Sequence, residues 1–476
     1  MSNMALEPTY ENLIHHYLED TIGRNDDLFY FVRILSGLNS GSAVALNAAW
    51  GSGKTFFVKQ AKMLIDIHNP NSDIDIEYLN EEEIASIKKV YNKYNYGTEK
   101  YEMPKMATVY YDAWKYDDTE DPLLSLLYCI MNRFGKSVPN DKINVIKKFA
   151  KQSVSILSNA ARYITGINVQ EILETIKNYA EACDDTVKEQ KTNESLEKRI
   201  NRFLNDVVLD DEEKIIIFID ELDRCNPQYA VKLLERVKHY FNHPKVVFVI
   251  SYNKAELQHS IKTLYGSEFS ADKYLERFFD YEFGLSTVNV VKYMDILGSS
   301  NTININMCAI AKLYSFQMRE IWKYHDCVNK AIAMIQKVIS NNIHSTEKSL
   351  EFCIIWFLPV IIGLRFHNES SYKEFIEGKG FKHYGPFFDL RLKSKDDYFK
   401  ELLTQCEIYD DDRNGYILNG IKYISLEEKI RQVYVAMFED TTNSKPSEIG
   451  RILVNREIRE EFRKICNGIS YLADYK

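Results

Sequence analysis

Four short apolar runs alternate with amphipathic segments in the first part of the chain. None of them shows the strict polar alternation of a half-exposed strand, so each predicts a strand that is buried on both faces. Between them, segments such as residues 26–36 and 230–241 place apolar side chains at helical spacing. Strands that alternate with helices form a doubly wound parallel sheet, so we expect an α/β fold. The four runs are SAVALNAA, ATVYYDAW, KIIIFID and KVVFVIS.

Two polar segments interrupt this alternation, and we interpret both as helical insertions. Residues 69–104 are rich in tyrosine, which indicates either stacking platforms for single-stranded nucleic acid or a solvated helix whose tyrosines pack against the domain. Residues 140–205 are charge-rich and have a mostly helical pattern. Long helical patterns dominate afterwards, with two short strands, YILNG and KYISL, joined by an Asn-Gly turn. We therefore expect an α/β domain at 1–290 and a mainly α-helical C-terminal domain at 291–476.

The composition is typical of a folded cytoplasmic protein. Lys and Arg number 60 against 69 Asp and Glu, and this net charge of −9 argues against a chain that coats nucleic acid. The net charge does not exclude a local basic groove. No two of the eight cysteines stand at a CxxC spacing, so we expect free thiols. The N-terminus lacks the apolar core of a signal peptide. The longest apolar run, Cys353 to Leu364, is shorter than the roughly 20 residues that span a bilayer, so it predicts a buried helix and no membrane span.

The segment AAWGSGKT, Ala48 to Thr55, stands where a predicted strand gives way to a helix. Glycines there let backbone N–H groups wrap phosphates at the positive end of the helix. Lys54 then reaches the β- and γ-phosphates of ATP, and the Thr55 hydroxyl is a ligand of Mg²⁺. The usual pattern has glycine in place of Ala48, but that residue serves the turn and not the phosphates. We assign nucleotide binding to Trp50, Gly51, Ser52, Gly53, Lys54, Thr55 and Phe56.

A carboxylate pair follows the third run, in KIIIFIDELDRCNP. Asp220 ends a buried strand at the carboxyl edge of the sheet, where it can hold Mg²⁺ through water. Glu221 has the position of a general base that polarises the attacking water. A helix cap is the alternative explanation for both residues.

Three further residues are candidates for contact with the γ-phosphate. At the tip of the fourth run, Ser251 and Asn253 are polar, and we choose Asn253 as the sensor, although either could begin a turn. Arginines stabilise transferring phosphate charge, often from a neighbouring subunit. Arg224 in DRC and Arg277 in YLERFFDYEF are the candidates, and an ordinary ion pair is the alternative for each.

Taken together, WGSGKT, DAWKY, IDELDRCNP, FVISYNKAEL and KYLERFFDYEF resemble, in this order, the motifs of the KAP family of P-loop NTPases, over about residues 10–290. The resemblance implies a sheet of the additional-strand type, a Walker A motif that ends in Lys54 and Thr55, and a Walker B motif at Asp220 and Glu221. It also implies an added Asp-Arg pair, Asp223 and Arg224, and oligomerisation with a completing arginine. Many members carry transmembrane helices between the two Walker motifs, whereas this chain has only the polar helices of 140–205 there.

The resemblance also implies a biological setting. Several bacterial relatives are linked to bacteriophage exclusion and occur beside nucleases or other effectors. We therefore expect a Mg²⁺-dependent ATPase that forms a homo-oligomer and acts with partner effector proteins in antiviral defence. The alternative is an ATP-gated scaffold or switch with little turnover, in which nucleotide sets the assembly state.

Overall fold

The computed structural model describes the chain in segments that form two compact units, Met1–Thr287 and Val288–Lys476. Most of the predicted insertion at 140–205 and parts of the one at 69–104 lie outside these segments. The described residues are 7–38, 41–69, 79–94, 102–119, 121–135, 196–205, 214–298, 302–340, 353–393, 416–418, 421–423, 431, 434–435, 437–438, 460, 462–466 and 468.

A five-stranded parallel sheet forms the centre of the first unit. Its strand order is β2-β3-β4-β1-β5, and every neighbouring pair is parallel. Strand β4 therefore separates β1 from β3, which is the additional-strand arrangement and confirms the predicted fold class. The strands are β1 Ser42–Asn47, β2 Met106–Asp112, β3 Lys214–Asp220, β4 Val246–Tyr252 and β5 Tyr281–Gly284.

Helices cover both faces of this sheet, as parallel strands require. One face is a core that includes Ile217, Phe248 and Leu234, beneath α5 to α8. Helix α3 packs on the other face, against β2, β3 and β4. The helices are α1 Tyr10–Leu18, α2 Asn25–Gly37, α3 Lys54–His68, α4 Glu81–Lys93, α5 Pro122–Gly135, α6 Leu196–Phe203, α7 Pro227–Tyr240, α8 Lys254–Tyr265 and α9 Ala271–Leu275.

Side chains alternate between the two faces of a strand, and this alternation positions the candidate site. The described core on the α5–α8 face contains Ile219 and Ile250. Their neighbours Asp220 and Ser251 therefore point to the α3 face, where α3 begins with Lys54. The carboxyl ends of β1, β3 and β4 thus bring the candidate residues to one edge of the sheet.

The second unit is mainly helical in its described part. Helix α13 overlaps the C-terminal part of the predicted apolar run, and every residue from Leu358 to Leu364 is buried. The Tyr324 hydroxyl donates to the carbonyl oxygen of Pro359 at 2.9 Å, which attaches α12 to α13. The helices are α10 Val290–Leu297, α11 Thr302–Leu313, α12 Met318–Ser340, α13 Leu358–His367, α14 Glu369–Ile376 and α15 Gly385–Lys393.

One smaller prediction, the pair of short strands, is confirmed by the described residues. Strands β6 Tyr416–Leu418 and β7 Ile421–Tyr423 form the expected antiparallel pair, and the Asn-Gly turn between them lies outside the described residues. No helix in the described part of the chain is long and apolar enough to cross a membrane. Six of the cysteines are described, and all six are free thiols: Cys129, Cys225, Cys308, Cys327, Cys353 and Cys466.

Candidate functional site

The loop between β1 and α3 has a backbone that only glycine adopts without strain. Gly51 and Gly53 have φ angles of 76° and 90°, in the left-handed region. Gly53 directly precedes Lys54, the first residue of α3. The first N–H groups of a helix have no partner within it, and the helix dipole adds positive potential there. The loop and the start of α3 therefore form an anion-binding cradle.

The ammonium group of Lys54 lies inside this cradle. Its Nζ donates to the carbonyl oxygens of Ala48 at 2.8 Å and Ala49 at 3.3 Å, and the residue is only 8% exposed. Burial lowers the pKa of Lys54, while the nearby carboxylates of Asp223 and Glu221 act in the opposite direction. A cation is thus held where phosphates would meet the loop.

Asp220 ends β3 and is fully buried, with one carboxylate oxygen bonded and one without a partner. The Tyr110 hydroxyl donates to Oδ2 at 3.0 Å, and among the described residues Oδ1 has no hydrogen-bond partner. The Oγ atom of Ser52 in the loop is likewise buried and unpartnered within the described segments. An unsatisfied buried polar group costs about 1–3 kcal/mol, which a bound cation or ligand would offset. The residues present therefore fit a Mg²⁺ ion with a nucleotide.

At Glu221, directly after β3, the backbone adopts a left-handed conformation with a φ of 60°. For a residue with a side chain this conformation costs about 1–3 kcal/mol, and such strain is common at functional sites. The Thr55 hydroxyl donates to Oε1 of Glu221 at 3.2 Å, so the two motifs are in direct contact. Burial, followed by the charge of Asp220, raises the pKa of Glu221, while Arg224 and Thr55 act in the opposite direction.

Arg224 forms its contacts within its own chain. Its Nε is paired with Oε2 of Glu221, and its guanidinium lies 5.2 Å from the ring centroid of Trp114 in the DAWKY segment. Trp114 is 52% exposed, so this pair lies at the mouth of the site. These contacts correspond to the alternative that the sequence left open for Arg224, an ordinary ion pair.

The structure separates the two sensor candidates after β4. The Asn253 side chain accepts from the N–H of Ala255 at 3.2 Å and so caps α8. Ser251 is fully buried, and its Oγ has no partner among the described residues. Ser251 thus carries the unsatisfied hydroxyl on the α3 face, whereas the Asn253 oxygen is already used.

Arg277 lies in the chain between Asp272, which pairs with Lys254 after β4 at 3.2 Å, and Asp280. It precedes β5, and the N–H of Asp280 donates to the carbonyl oxygen of Ala43 at 2.9 Å, at the amino end of β1. The loop follows the carboxyl end of β1, roughly 17 Å away for a strand of this length. Arg277 is exposed.

The side chains of Trp50 and Phe56 lie in different surroundings, one partly exposed and the other in the core. The indole Nε1 of Trp50 donates to Oδ2 of Asp223, which joins the loop to the turn after β3, and Trp50 is 48% exposed. The Phe56 ring packs edge-on against His16 of α1, with ring centroids 5.3 Å apart. Its side chain belongs to the core, so only its backbone can contribute to the cradle.

Tyr110 and Arg24 touch site residues and were missed in the sequence. Tyr110 lies in β2 two positions before Asp112, which pairs with Asp220 in the sheet register. Residues two apart in a strand point to the same face, so Tyr110 could have been predicted to lie near Asp220 once β2 was placed beside β3. The Arg24 Nη1 donates to the carbonyl oxygen of Ser52 at 2.7 Å. No short-range pattern connects positions so far apart in the chain.

The parallel sheet of additional-strand type, the glycine loop and the carboxylate pair define a P-loop nucleoside triphosphatase. A model of the KAP family P-loop domain matches residues 31–293, more than half of the 476 residues. The chain belongs to the KAP family of P-loop NTPases.

Two individual proteins are similar to parts of this chain. An uncharacterized protein of Methanocaldococcus jannaschii is 24% identical over 160 residues, which is 28% of this chain and 82% of that protein. The solved structure of the ORC2 protein of Aeropyrum pernix, described as ADPNP-ADP complexes, is 11% identical with a TM-score of 0.29. This match covers 80% of this chain and 86% of the ORC2 chain.

Proposed function

We propose that this protein hydrolyses ATP in a Mg²⁺-dependent reaction. The observation that carries the proposal is the contact between the two motifs, in which the Thr55 hydroxyl donates to Glu221 beside the buried Lys54. A left-handed glutamate, an unpartnered aspartate oxygen and a buried lysine at one sheet edge each cost stability, so their combination supports a functional role. ADP, phosphate and a proton are the products when water attacks the γ-phosphate.

Each residue of the site has a distinct role in this proposal. Lys54 neutralises charge on the β- and γ-phosphates, and the N–H groups of Gly51 to Thr55 bind their oxygens. Thr55 and Asp220 would hold Mg²⁺, which supplies charge neutralisation on the phosphates when bound. Glu221 takes the proton of the attacking water, and its raised pKa brings it closer to the range in which a base works well.

We further propose a cytoplasmic homo-oligomer in which Arg277 serves the site of a neighbouring subunit. Its exposure supports a role in trans, since an arginine that reaches the γ-phosphate in a neighbouring subunit must be accessible at the surface. Bacterial anti-phage defence with partner effector proteins is the proposed setting, and family association alone supports it.

The proposed domain division is 1–290 for the NTPase domain and 291–476 for the helical domain.

One observation favours the second candidate, an ATP-gated scaffold with little turnover. Arg224 is paired with the carboxylate of Glu221 and is also held by Trp114. While this pair persists, one oxygen of the proposed base is occupied by a cation. A protein that needs a partner to break the pair would bind ATP readily and hydrolyse it slowly.

The role of Arg277 is tested by mixing variants. The ATPase rate per subunit should rise with protein concentration, and Arg277→Ala should remove that rise without unfolding the chain. A mixture of Arg277→Ala and Lys54→Ala subunits, each inactive alone, should recover activity, because one supplies the phosphate loop and the other the arginine. Phosphate release and light scattering measure rate and assembly.

Lys273→Ala is the matched control, because Lys273 is an exposed cation in the preceding helix α9. It should keep the concentration dependence. If no mixture recovers activity while Arg224→Ala loses the concentration dependence, Arg224 is the arginine that acts in trans. A rate that does not depend on concentration in a proven monomer contradicts the in-trans role altogether.

Ser251→Ala and Asn253→Ala should separate the two sensor candidates. Ser251→Ala removes the buried, unpartnered hydroxyl and should lower kcat about tenfold or more, the effect of one hydrogen bond to a charged group. Asn253→Ala removes a helix cap and should lower the free energy of unfolding by about 1 kcal/mol with a smaller change in kcat. Steady-state kinetics and urea unfolding measure both, and the reverse pattern would support Asn253 as the sensor.

A further inference from the structure

Arg24 is a buried arginine that contacts two separate segments of the first unit. It immediately precedes α2 and is 6% exposed. Its Nη1 donates to the carbonyl oxygen of Ser52 at 2.7 Å, and its Nη2 donates to the carbonyl oxygen of Ser286. Burial lowers the pKa of Arg24 to about 10, so the guanidinium stays charged at neutral pH. A permanent cation thus joins these two segments.

The contact with Ser52 determines how one peptide group of the phosphate loop is oriented. In a planar trans peptide the C=O and the following N–H point in opposite directions. Because Arg24 holds the carbonyl oxygen of Ser52, the N–H of Gly53 points away from Arg24. Gly53 lies at the start of α3, where N–H groups form the anion cradle.

The second contact lies in the segment that leaves the sheet after β5. The N–H of Leu285 donates to the carbonyl oxygen of Asn47 at 3.2 Å, directly before the loop, and the Ser286 hydroxyl donates to Asp27 in the first turn of α2. The first compact unit ends at Thr287, where the chain continues into the second unit. Leu285 is therefore bonded to the residue before the loop, Ser286 is linked through Arg24 to Ser52 within the loop, and the chain then leads out of the NTPase domain.

We propose that Arg24 is a positioning residue that orients the phosphate loop and couples its nucleotide state to residues 285–287. The inference rests on the proposed nucleotide binding. Phosphates that bind the loop fix the peptide group that follows Ser52. Because Arg24 is hydrogen-bonded both to this peptide and to the carbonyl oxygen of Ser286, fixing the first restricts the motion of the second. The segment that continues into the second unit then responds to nucleotide without touching it.

The test compares Arg24→Ala and Arg24→Lys with Arg33→Ala, a control on the exposed side of the same helix α2. We expect the dissociation constant for ADP, measured by calorimetry, to rise about tenfold in Arg24→Ala, with kcat for ATP within about threefold of wild type. Arg24→Lys, which keeps the charge but presents one point donor instead of a fork, should recover part of the affinity. Arg33→Ala should match wild type.

Hydrogen exchange gives the readout that a merely structural role would not change. At saturating ADP, the amide of Leu285 should gain protection in wild type and in Arg33→Ala, and this gain should be lost in Arg24→Ala. If Arg24→Ala does not fold, the same comparison is made with Arg24→Lys, in which the gain in protection of the Leu285 amide should be smaller than in wild type. Protection that persists in a saturated Arg24 variant, or unchanged ADP affinity, overturns the inference and leaves the proposed function intact. Absence of ADP and ATP binding by the wild-type chain overturns both.

Discussion

Lys54→Ala is expected to lower ATP hydrolysis by at least about 10²–10³-fold and to weaken ATP binding. The ammonium group is nearly buried and bonded to two carbonyl oxygens of the loop, so its position is fixed before nucleotide arrives. Its removal leaves the phosphates without their principal cation in a place that water screens poorly. Phosphate release and calorimetry with ATP in the presence of Mg²⁺ measure the two effects.

Lys93→Ala is the matched control for this change. Lys93 is exposed at the end of α4 and contacts no residue of the site in the described part of the chain, so this variant should hydrolyse ATP normally. Thermal unfolding should show that both variants are folded. Normal hydrolysis by Lys54→Ala would contradict the assignment of the phosphate loop and, with it, the proposed function.

The sequence predicts four of the five central strands because each is a run of apolar residues buried on both faces. Strand β3, for example, is buried at every position from Lys214 to Asp220. Strand β5, Tyr281–Gly284, was missed because it is short and mostly exposed at the edge of the sheet. Its only partner in the described sheet is β1, and pairing with a strand so distant in sequence leaves no local pattern.

The site was predictable where function depends on backbone shape and short-range spacing. Gly51 and Gly53 are needed for their positive φ angles, and Asp220 follows from the end of a buried strand. By contrast, the choice between Ser251 and Asn253 depends on which oxygen is already bonded. Local spacing places both at the tip of β4, and only the tertiary contacts show that Asn253 caps α8.

Glu221→Gln should retain binding of ATP and Mg²⁺ while hydrolysis falls by roughly 10²–10⁴, the effect typical of losing a general base. The amide keeps the size of the side chain and can still accept the hydrogen bond from Thr55, but it cannot take a proton from water. Single-turnover phosphate release measures the chemical step, and calorimetry measures ATP affinity. Glu81→Gln, an exposed position in α4, is the matched control and should hydrolyse at the wild-type rate.

The pH dependence gives a second test of the same residue. A general base acts only when deprotonated, and burial together with Asp220 raises the pKa of Glu221. In the wild type, kcat/KM, which reports the pKa values of the free enzyme, should therefore begin to fall with decreasing pH at a higher pH than an ordinary glutamate would give, and the residual activity of Glu221→Gln should lack this limb. Arg224→Ala should move the limb further upward, because the arginine lowers the pKa of Glu221. If instead Glu221→Gln loses ATP affinity and keeps the acid limb, Glu221 supports the loop and another group is the base.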